Sequence, residues 1–171
     1  MSGKAFVEDH VLLGFSFDAA RVRLARLVDD GALLAASEYA YAEGMARLAA
    51  DAGPAAGLSW LAVVLPGDLA ETPGCARLPL RWMAIGPDGA AFPALDSDLT
   101  LSWAGETTTL LTLAGVCRLP GQAAAGLDLA SVRGIAAVIT RSFIARLACI
   151  FLHPAGSASQ VSHTRPERQL P

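Results

Sequence analysis

The chain contains little of the side-chain chemistry from which catalytic and metal-binding sites are usually built. Among its 171 residues there are three cysteines and three histidines, and only 17% of residues are charged. Cys75, Cys117 and Cys149 are far apart in sequence, none belongs to a C-x-x-C pair, and the histidines do not group with them. This spacing argues against a zinc site and against a disulfide framework. We therefore expect no metal, no cofactor and three unpaired thiols in a reducing compartment.

Lysine is almost absent, and the basic residues form no dense run. Twelve of the thirteen basic residues are arginine, Lys4 is the only lysine, and the formal net charge is -3. Proteins that bind nucleic acid through their charge carry basic residues clustered on one face or along one helix. We therefore expect no nucleic-acid partner.

Long apolar segments free of charge are also lacking. Met1–His10 contains two acids and has no apolar region of the signal-peptide kind behind it. Gly134–Leu152 is mostly apolar, but Arg141 and Arg146 lie inside it. Each arginine would cost roughly 2.5–3.5 kcal/mol at a bilayer centre. We expect no stable membrane insertion and, together with the unpaired cysteines, a cytoplasmic protein.

What the chain does have is apolar residues, which make up 53% of the sequence at a mean hydropathy of +0.44. A length of 171 residues suits one domain, which can bury about 70% of the surface of the unfolded chain. Such a composition indicates either a large core or an apolar internal surface. We predict a single domain over residues 1–153 and a flexible, polar tail over residues 154–171.

The apolar spacing in the first third of the chain predicts one strand followed by two short helices. The strand is expected at Val11–Phe17, and the helices at Ala19–Val28 and Leu33–Glu43. Asp18 is the expected N-cap of the first helix, and Gly31 suits the left-handed position after it. A weak strand is expected at Met45–Ala50.

The period then changes toward two, which predicts a run of antiparallel strands. They are expected at Leu58–Leu65, Arg77–Gly86, Phe92–Trp103 and Thr107–Leu119. Pro79 predicts that its strand is an edge or a bulged strand, because proline cannot donate a ladder hydrogen bond. The short link between the last two segments predicts a hairpin.

The longest helix is expected at Leu127–Leu152. Its apolar residues recur at three- and four-residue steps, at Val132, Ile135, Ile139, Phe143, Leu147, Ile150 and Phe151. About 24 residues make a helix roughly 36 Å long, enough to cross a small sheet. The expected fold is α+β, a curved antiparallel sheet of about six strands around this helix. A curved sheet that wraps a helix leaves room for a ligand between them.

Three segments resemble bacterial members of the START-like superfamily, also called polyketide cyclase/dehydrase-like or SRPBCC. They are Pro79–Ala84, Phe92–Leu99 and Thr109–Pro120. Cys117 stands where the family pattern favours tyrosine, and Leu119 stands where it favours proline. The resemblance implies a helix-grip fold whose cavity binds lipids, sterols, polyketides or other apolar molecules. Some members catalyse ring cyclisation or dehydration, and many have no known activity.

The expected function is binding of an apolar small molecule, lipid or polyketide-like, beneath the C-terminal helix, by a carrier or sensor. Its expected contacts are Trp60, Trp82, Leu99, Leu113, Val132, Ile135, Ile139 and Phe143. Trp82 is expected to point inward, which leaves Arg81 exposed. Trp103 is also expected in the core or the cavity wall, because aromatic residues are favoured in strands. No catalytic residue is assigned.

Two alternatives stay open. A cyclase or dehydratase would need an acid or base inside the cavity, and Asp96 and Asp98 are the only acids that we can name. They are two residues apart in a strand and therefore share a face. Because Leu95 and Leu99 point the other way, both acids are expected to face solvent. The second alternative is a ligand-free interaction module that dimerises through an apolar patch.

Overall fold

The structure is a computed structural model that describes residues 4–52, 61–85, 94–118 and 129–153. The strands are β1 (Lys4–Leu13), β2 (Leu61–Pro66), β3 (Ala70–Thr72), β4 (Cys75–Ile85), β5 (Ala94–Gly105) and β6 (Thr108–Arg118). The helices are α1 (Phe17–Asp29), α2 (Ala32–Ala52) and α3 (Leu129–Leu152).

The strands form one six-stranded antiparallel sheet with the order β1-β6-β5-β4-β2, and β3 pairs with β4 beside β2. The first strand is followed by two helices, the remaining strands and the long C-terminal helix. This confirms the predicted α+β class, the antiparallel sheet and the order of the elements.

Strand alternation separates the two faces of β5 and β6. Leu99 and Leu101 are fully buried on β5, and their cross-strand neighbours Leu113 and Leu111 are fully buried on β6. The intervening residues are half-buried. A strand with one buried face shows this period of two, because successive side chains point to opposite sides of the sheet. The buried face is the one that α1 and α3 cover.

Pro79 lies in β4 opposite a break between β2 and β3. The prediction that its strand is an edge is wrong. β4 pairs with β5 on one side and with β2 and β3 on the other. Leu80 pairs with Pro66 at the end of β2, and Arg77 pairs with Ala70 in β3, so Pro79 faces the break between the two strands. Its carbonyl accepts a hydrogen bond from the Gly67 N–H at 2.8 Å. The missing N–H of proline points to the same side, where no ladder partner requires it.

The second helix is longer than predicted. α2 runs without interruption from Ala32 to Ala52, through Gly44 and through Met45–Ala50, so the predicted weak strand is wrong. Alanine-rich sequence favours helix, and one glycine costs only about 1 kcal/mol. Packing of α2 against α3 and β2 offsets that cost.

The N-terminal boundaries also differ from the prediction. β1 covers Lys4–Leu13, earlier than the predicted strand, because Ser16 already begins α1. The hydroxyl of Ser16, and not Asp18, caps this helix by accepting from the Ala19 N–H at 3.5 Å. Gly31 has a φ of 71°, which confirms the left-handed conformation predicted for it.

The C-terminal helix α3 packs against β1 and α2. Its last turn is held by a stack of Phe151 on Phe15, with ring centroids 6.1 Å apart, and by Arg23, which donates to the Phe151 carbonyl. Halfway along the helix, Arg141 Nε lies 3.6 Å from Asp9 Oδ2 on β1. Of the helices in the described ranges, none combines the length and apolarity needed to cross a bilayer.

Candidate functional site

Three aromatic side chains meet between α3, α2 and the sheet. We call Tyr41, Trp82 and Phe143 the aromatic cluster. The ring of Phe143 stands edge-on to Trp82 with centroids 4.4 Å apart, and Tyr41 lies 5.8 Å from Trp82 on the other helix. Edge-to-face pairs at this distance are favourable beyond the area that they bury. Trp82 and Phe143 are completely buried, so the cluster joins both helices to β4.

Five of the eight predicted ligand contacts belong to one buried core with this cluster. They are Trp82, Leu99, Leu113, Ile139 and Phe143. Leu99 and Leu113 are direct cross-strand neighbours. Trp60 and the side chains of Val132 and Ile135 lie outside the described residues. That these residues touch a ligand stays a prediction.

The alternation of β4 places Trp82 on the inner face, as predicted. Leu78, Leu80 and Trp82 are buried, whereas Arg77, Pro79 and Arg81, which alternate with them, are exposed. The same row of the sheet contains Leu95 on β5 and Cys117 on β6. Cys117 therefore shares the inner face with the aromatic cluster.

The indole N–H of Trp82 is a buried donor with no hydrogen-bond partner among the described residues. Tryptophan Nε1 can only donate. A buried donor without an acceptor costs about 1–3 kcal/mol relative to its hydrated state. Trp82 therefore carries an unsatisfied donor inside the core.

Tyr41 and Cys117 are the titratable groups of this site. Burial, and to a lesser degree the nearby Cys117, raises the pKa of Tyr41 well above its usual value. Burial alone raises the pKa of the Cys117 thiol to about 11. Both side chains are protonated at neutral pH even at their ordinary pKa values, and burial moves deprotonation further from neutrality. Each is therefore suited to hydrogen bonding rather than to acting as a base.

Sequence reasoning missed Tyr41. Its burial follows a helical repeat in α2, in which Leu33, Ala36, Ser37, Ala40 and Tyr41 are all buried. That spacing is readable from the sequence. What it does not show is that this face of α2 meets Trp82.

Stability is expected to fall as the pH rises from about 9 to about 11. The unfolded Cys117 thiol loses its proton near the ordinary value of 9.0, whereas the folded thiol keeps it until about 11. Unfolding therefore releases a proton in this range, and the free energy of unfolding decreases by about 1–2 kcal/mol. Tyr41 acts in the same direction from about pH 10 upward, because the unfolded tyrosine loses its proton near the ordinary value of 10.0. Urea unfolding at pH 8 and pH 10.5 measures the decrease.

Cys117→Ala is expected to lose less stability between these two pH values than the unsubstituted chain, because the unfolded thiol is gone. Cys149→Ala is the matched control, since Cys149 is exposed. An equal alkaline decrease in all three proteins would contradict the assignment to Cys117. The comparison is between pH values within each variant, so the cost of the substitution itself cancels.

Asp96 and Asp98 lie on the outer face of the sheet, as predicted. Asp96 is held between Arg81 Nε at 3.2 Å and Arg118 Nη2 at 3.0 Å. Asp98 accepts from Arg77 Nη2 at 2.6 Å. Both acids are thus paired with arginines on the outer face, and the sheet separates them from the aromatic cluster on the inner face.

Trp103 does not belong to the core, and the prediction that placed it there is wrong. It is 60% exposed. It lies at the end of β5, next to the register shift between Trp103 and Gly105 that precedes the hairpin turn. Such irregularities re-aim side chains and end the regular alternation of a strand.

Within the described parts of the chain, no three His, Cys, Asp or Glu residues are grouped closely enough to hold a metal ion. His10 and His153 are exposed there.

No protein-family model matches the sequence, and no curated protein matches it. Similar solved structures include the following two. The Zhui aromatase/cyclase from Streptomyces sp. R1128 is 17% identical, with 90% of this chain and 98% of that chain covered and a TM-score of 0.37. A Rhizobium loti protein is 14% identical, with 85% and 99% covered and a TM-score of 0.38. Both TM-scores are below 0.5, and the function proposed below therefore rests on the residues of this chain.

Proposed function

We propose that the protein is a START-like carrier or sensor with a helix-grip fold. In this proposal it binds an apolar small molecule between α3 and the inner face of the sheet. The observation that carries the proposal is the buried N–H of Trp82, which has no acceptor among the described residues and belongs to a ring that packs on Phe143. The ligand class is an apolar molecule with one carbonyl or hydroxyl oxygen, of the lipid or polyketide kind. Its oxygen accepts from Trp82, and its apolar part replaces contacts with the neighbouring leucines.

Several features of the site support an apolar ligand over a charged one. Leu99, Leu113 and Ile139 belong to the same buried core as the cluster. The two titratable groups there, Tyr41 and Cys117, are neutral at pH 7, and burial raises the pKa of each further. Burial of a charged ligand group would require a partner of opposite charge. The arginine–aspartate pairs of β4, β5 and β6 all lie on the outer face.

The cyclase alternative receives less support from the described residues. Asp96 and Asp98, its named acids, point away from α3 and are paired with arginines. The raised pKa values of Tyr41 and Cys117 leave both groups protonated and therefore poor bases. Replacing Asp96 and Asp98 by asparagine would leave any cyclisation activity unchanged under our proposal.

Native mass spectrometry of the full chain, purified from its own host, tests the proposal. We expect one reproducible bound mass. Trp82→Phe keeps an aromatic ring in the cluster and removes the indole donor. The fraction of the protein that carries the ligand should therefore fall, as expected for an affinity about tenfold lower. Trp103→Phe is the matched control, because Trp103 is exposed and remote from the cluster in the sheet register.

A chain that carries no ligand from its host would contradict the carrier function. Equal retention by Trp82→Phe and the unsubstituted chain would instead contradict the role of the indole N–H. The far-ultraviolet circular dichroism of each variant shows whether it is folded.

A further inference from the structure

The edge strand β1 exposes a regular row of side chains. In the part of the chain that the structure describes, β1 pairs with β6 on one side and with no strand on the other. Phe6 and Leu12 point outward and are 63% and 62% exposed. Glu8 and His10 lie between them, also exposed. An edge strand of ten residues with large exposed apolar side chains is a template for pairing with another strand.

We propose that β1 pairs antiparallel with β1 of a second copy of this chain, about a twofold axis at Asp9. In this register Phe6 faces Leu12 of the second copy, and Glu8 faces His10. Because the axis is twofold, each pair occurs twice, as an isologous interface requires. The two sheets then form one continuous twelve-stranded sheet.

The neighbouring strand β6 extends this match. Val116 lies beside Phe6, and Leu110 lies beside Leu12, on the same outer face. Pairing therefore creates rows of four apolar side chains across the axis: Val116 and Phe6 of one copy, then Leu12 and Leu110 of the other. Two such rows flank the Glu8–His10 pairs at the centre.

No neighbouring register matches as well. A shift by two residues in one direction places Glu8 against Glu8 of the second copy, and like charges directly opposite each other are unfavourable. The shift in the other direction places Glu8 against Leu12. A shift by one residue turns every side chain to the wrong face. Among these registers the charges of the exposed row favour the one centred on Asp9, although the two Asp9 carboxylates, on the opposite face, then lie across from each other.

At the axis the two Asp9 side chains face each other, and each has its own counter-charge. Arg141 Nε of α3 lies 3.6 Å from Asp9 Oδ2. Asp9 Oδ1 also accepts from the His10 backbone N–H at 2.8 Å. In a single copy the carboxylate covers this N–H, and in the pair the Glu8 carbonyl of the second copy takes its place.

Sedimentation equilibrium of the full chain over a concentration series tests the pairing. The apparent mass is expected to rise from 17.7 kDa toward twice that value. Phe6→Thr and Leu12→Thr retain β-forming residues and should raise the dissociation constant by at least about tenfold. Val22→Thr is the matched control, because Val22 is exposed on α1 and off the sheet, and should leave the constant unchanged.

A charge exchange tests the register itself. His10→Glu places two carboxylates opposite each other, so the dimer should be lost. The double variant Glu8→His with His10→Glu restores an acid opposite an imidazole, so the dimer should return. Arg141→Gln should also weaken the dimer, whereas Arg146→Gln should not, because Arg146 lies over Tyr39 and away from β1.

A chain that stays at 17.7 kDa at every concentration would overturn the proposal. A dimer that survives both threonine variants, or that the double variant does not restore, would overturn the β1 interface and its register. None of these outcomes depends on the ligand proposed above.

Discussion

Phe143→Ala is expected to lower the free energy of unfolding by about 3–5 kcal/mol, the largest effect that we predict for a single truncation. Phe143 is completely buried and stands edge-on to Trp82 at 4.4 Å. Its removal deletes the contact that ties α3 to β4 and leaves a void that the sheet and helix cannot fully close. Urea unfolding monitored by circular dichroism measures the loss.

Leu152→Ala is the control for this truncation. Leu152 lies on the same helix and is 57% exposed, so its cost should be within about 0.5 kcal/mol. A loss below about 1 kcal/mol for Phe143→Ala would mean that Phe143 does not hold α3 to the sheet. An apolar void of this kind also stays dry and accepts small aromatic molecules. Benzene should therefore stabilise Phe143→Ala more than the unsubstituted chain.

Gly115→Ala is expected to destabilise the protein by about 2–3 kcal/mol, although it adds a single methyl group. A Cβ at position 115 would lie 2.5 Å from the Asp96 carbonyl oxygen and 2.5 Å from Ser97 Cβ. Gly115 and Ser97 are direct cross-strand neighbours in the middle of the sheet. Neither β5 nor β6 can move without disturbing the pairs on both sides. Ser97→Gly should rescue little, because the contact with the Asp96 carbonyl remains.

Gly134→Ala is expected to change the free energy of unfolding in the opposite direction. Gly134 is exposed in α3, and no described atom lies within 4 Å of the position that its Cβ would take. Alanine there should stabilise the protein by about 0.5–1 kcal/mol, because it restricts the unfolded chain and favours helix. Thermal unfolding of the two variants side by side distinguishes them. A stabilising Gly115→Ala would contradict the close approach of β5 and β6.

The sequence predicted helices and strands correctly where the repeat of apolar residues was long and uninterrupted. α3 begins at Leu129 and ends at Leu152, against a prediction of 127–152. β5 shows its leucines buried and its acids outside, as the alternation predicted. Such patterns are readable because burial on one side imposes a period on the sequence. The Met45–Ala50 strand was wrong because short alanine-rich segments carry no such period.

For Asp96 and Asp98, the sequence predicted the face of the sheet on which each side chain lies, but not the arginine with which each one pairs. The spacing of Asp96 and Asp98 was sufficient to place them on one solvent-facing surface. Their partners were not predictable, since Arg77, Arg81 and Arg118 come from the strands on either side, and the register of those strands decides which guanidinium reaches which carboxylate.

The sequence by itself determined the α+β class, the long C-terminal helix and the inward orientation of Trp82, because each follows from the periodicity of one segment. Only the tertiary structure brought Tyr41, Phe143 and Cys117 to that tryptophan, and only it left Trp103 exposed. The reason is physical: periodicity reports which face of an element is buried, whereas the distance between two elements depends on how all of them pack. The proposed site and the β1 pairing both depend on such distances.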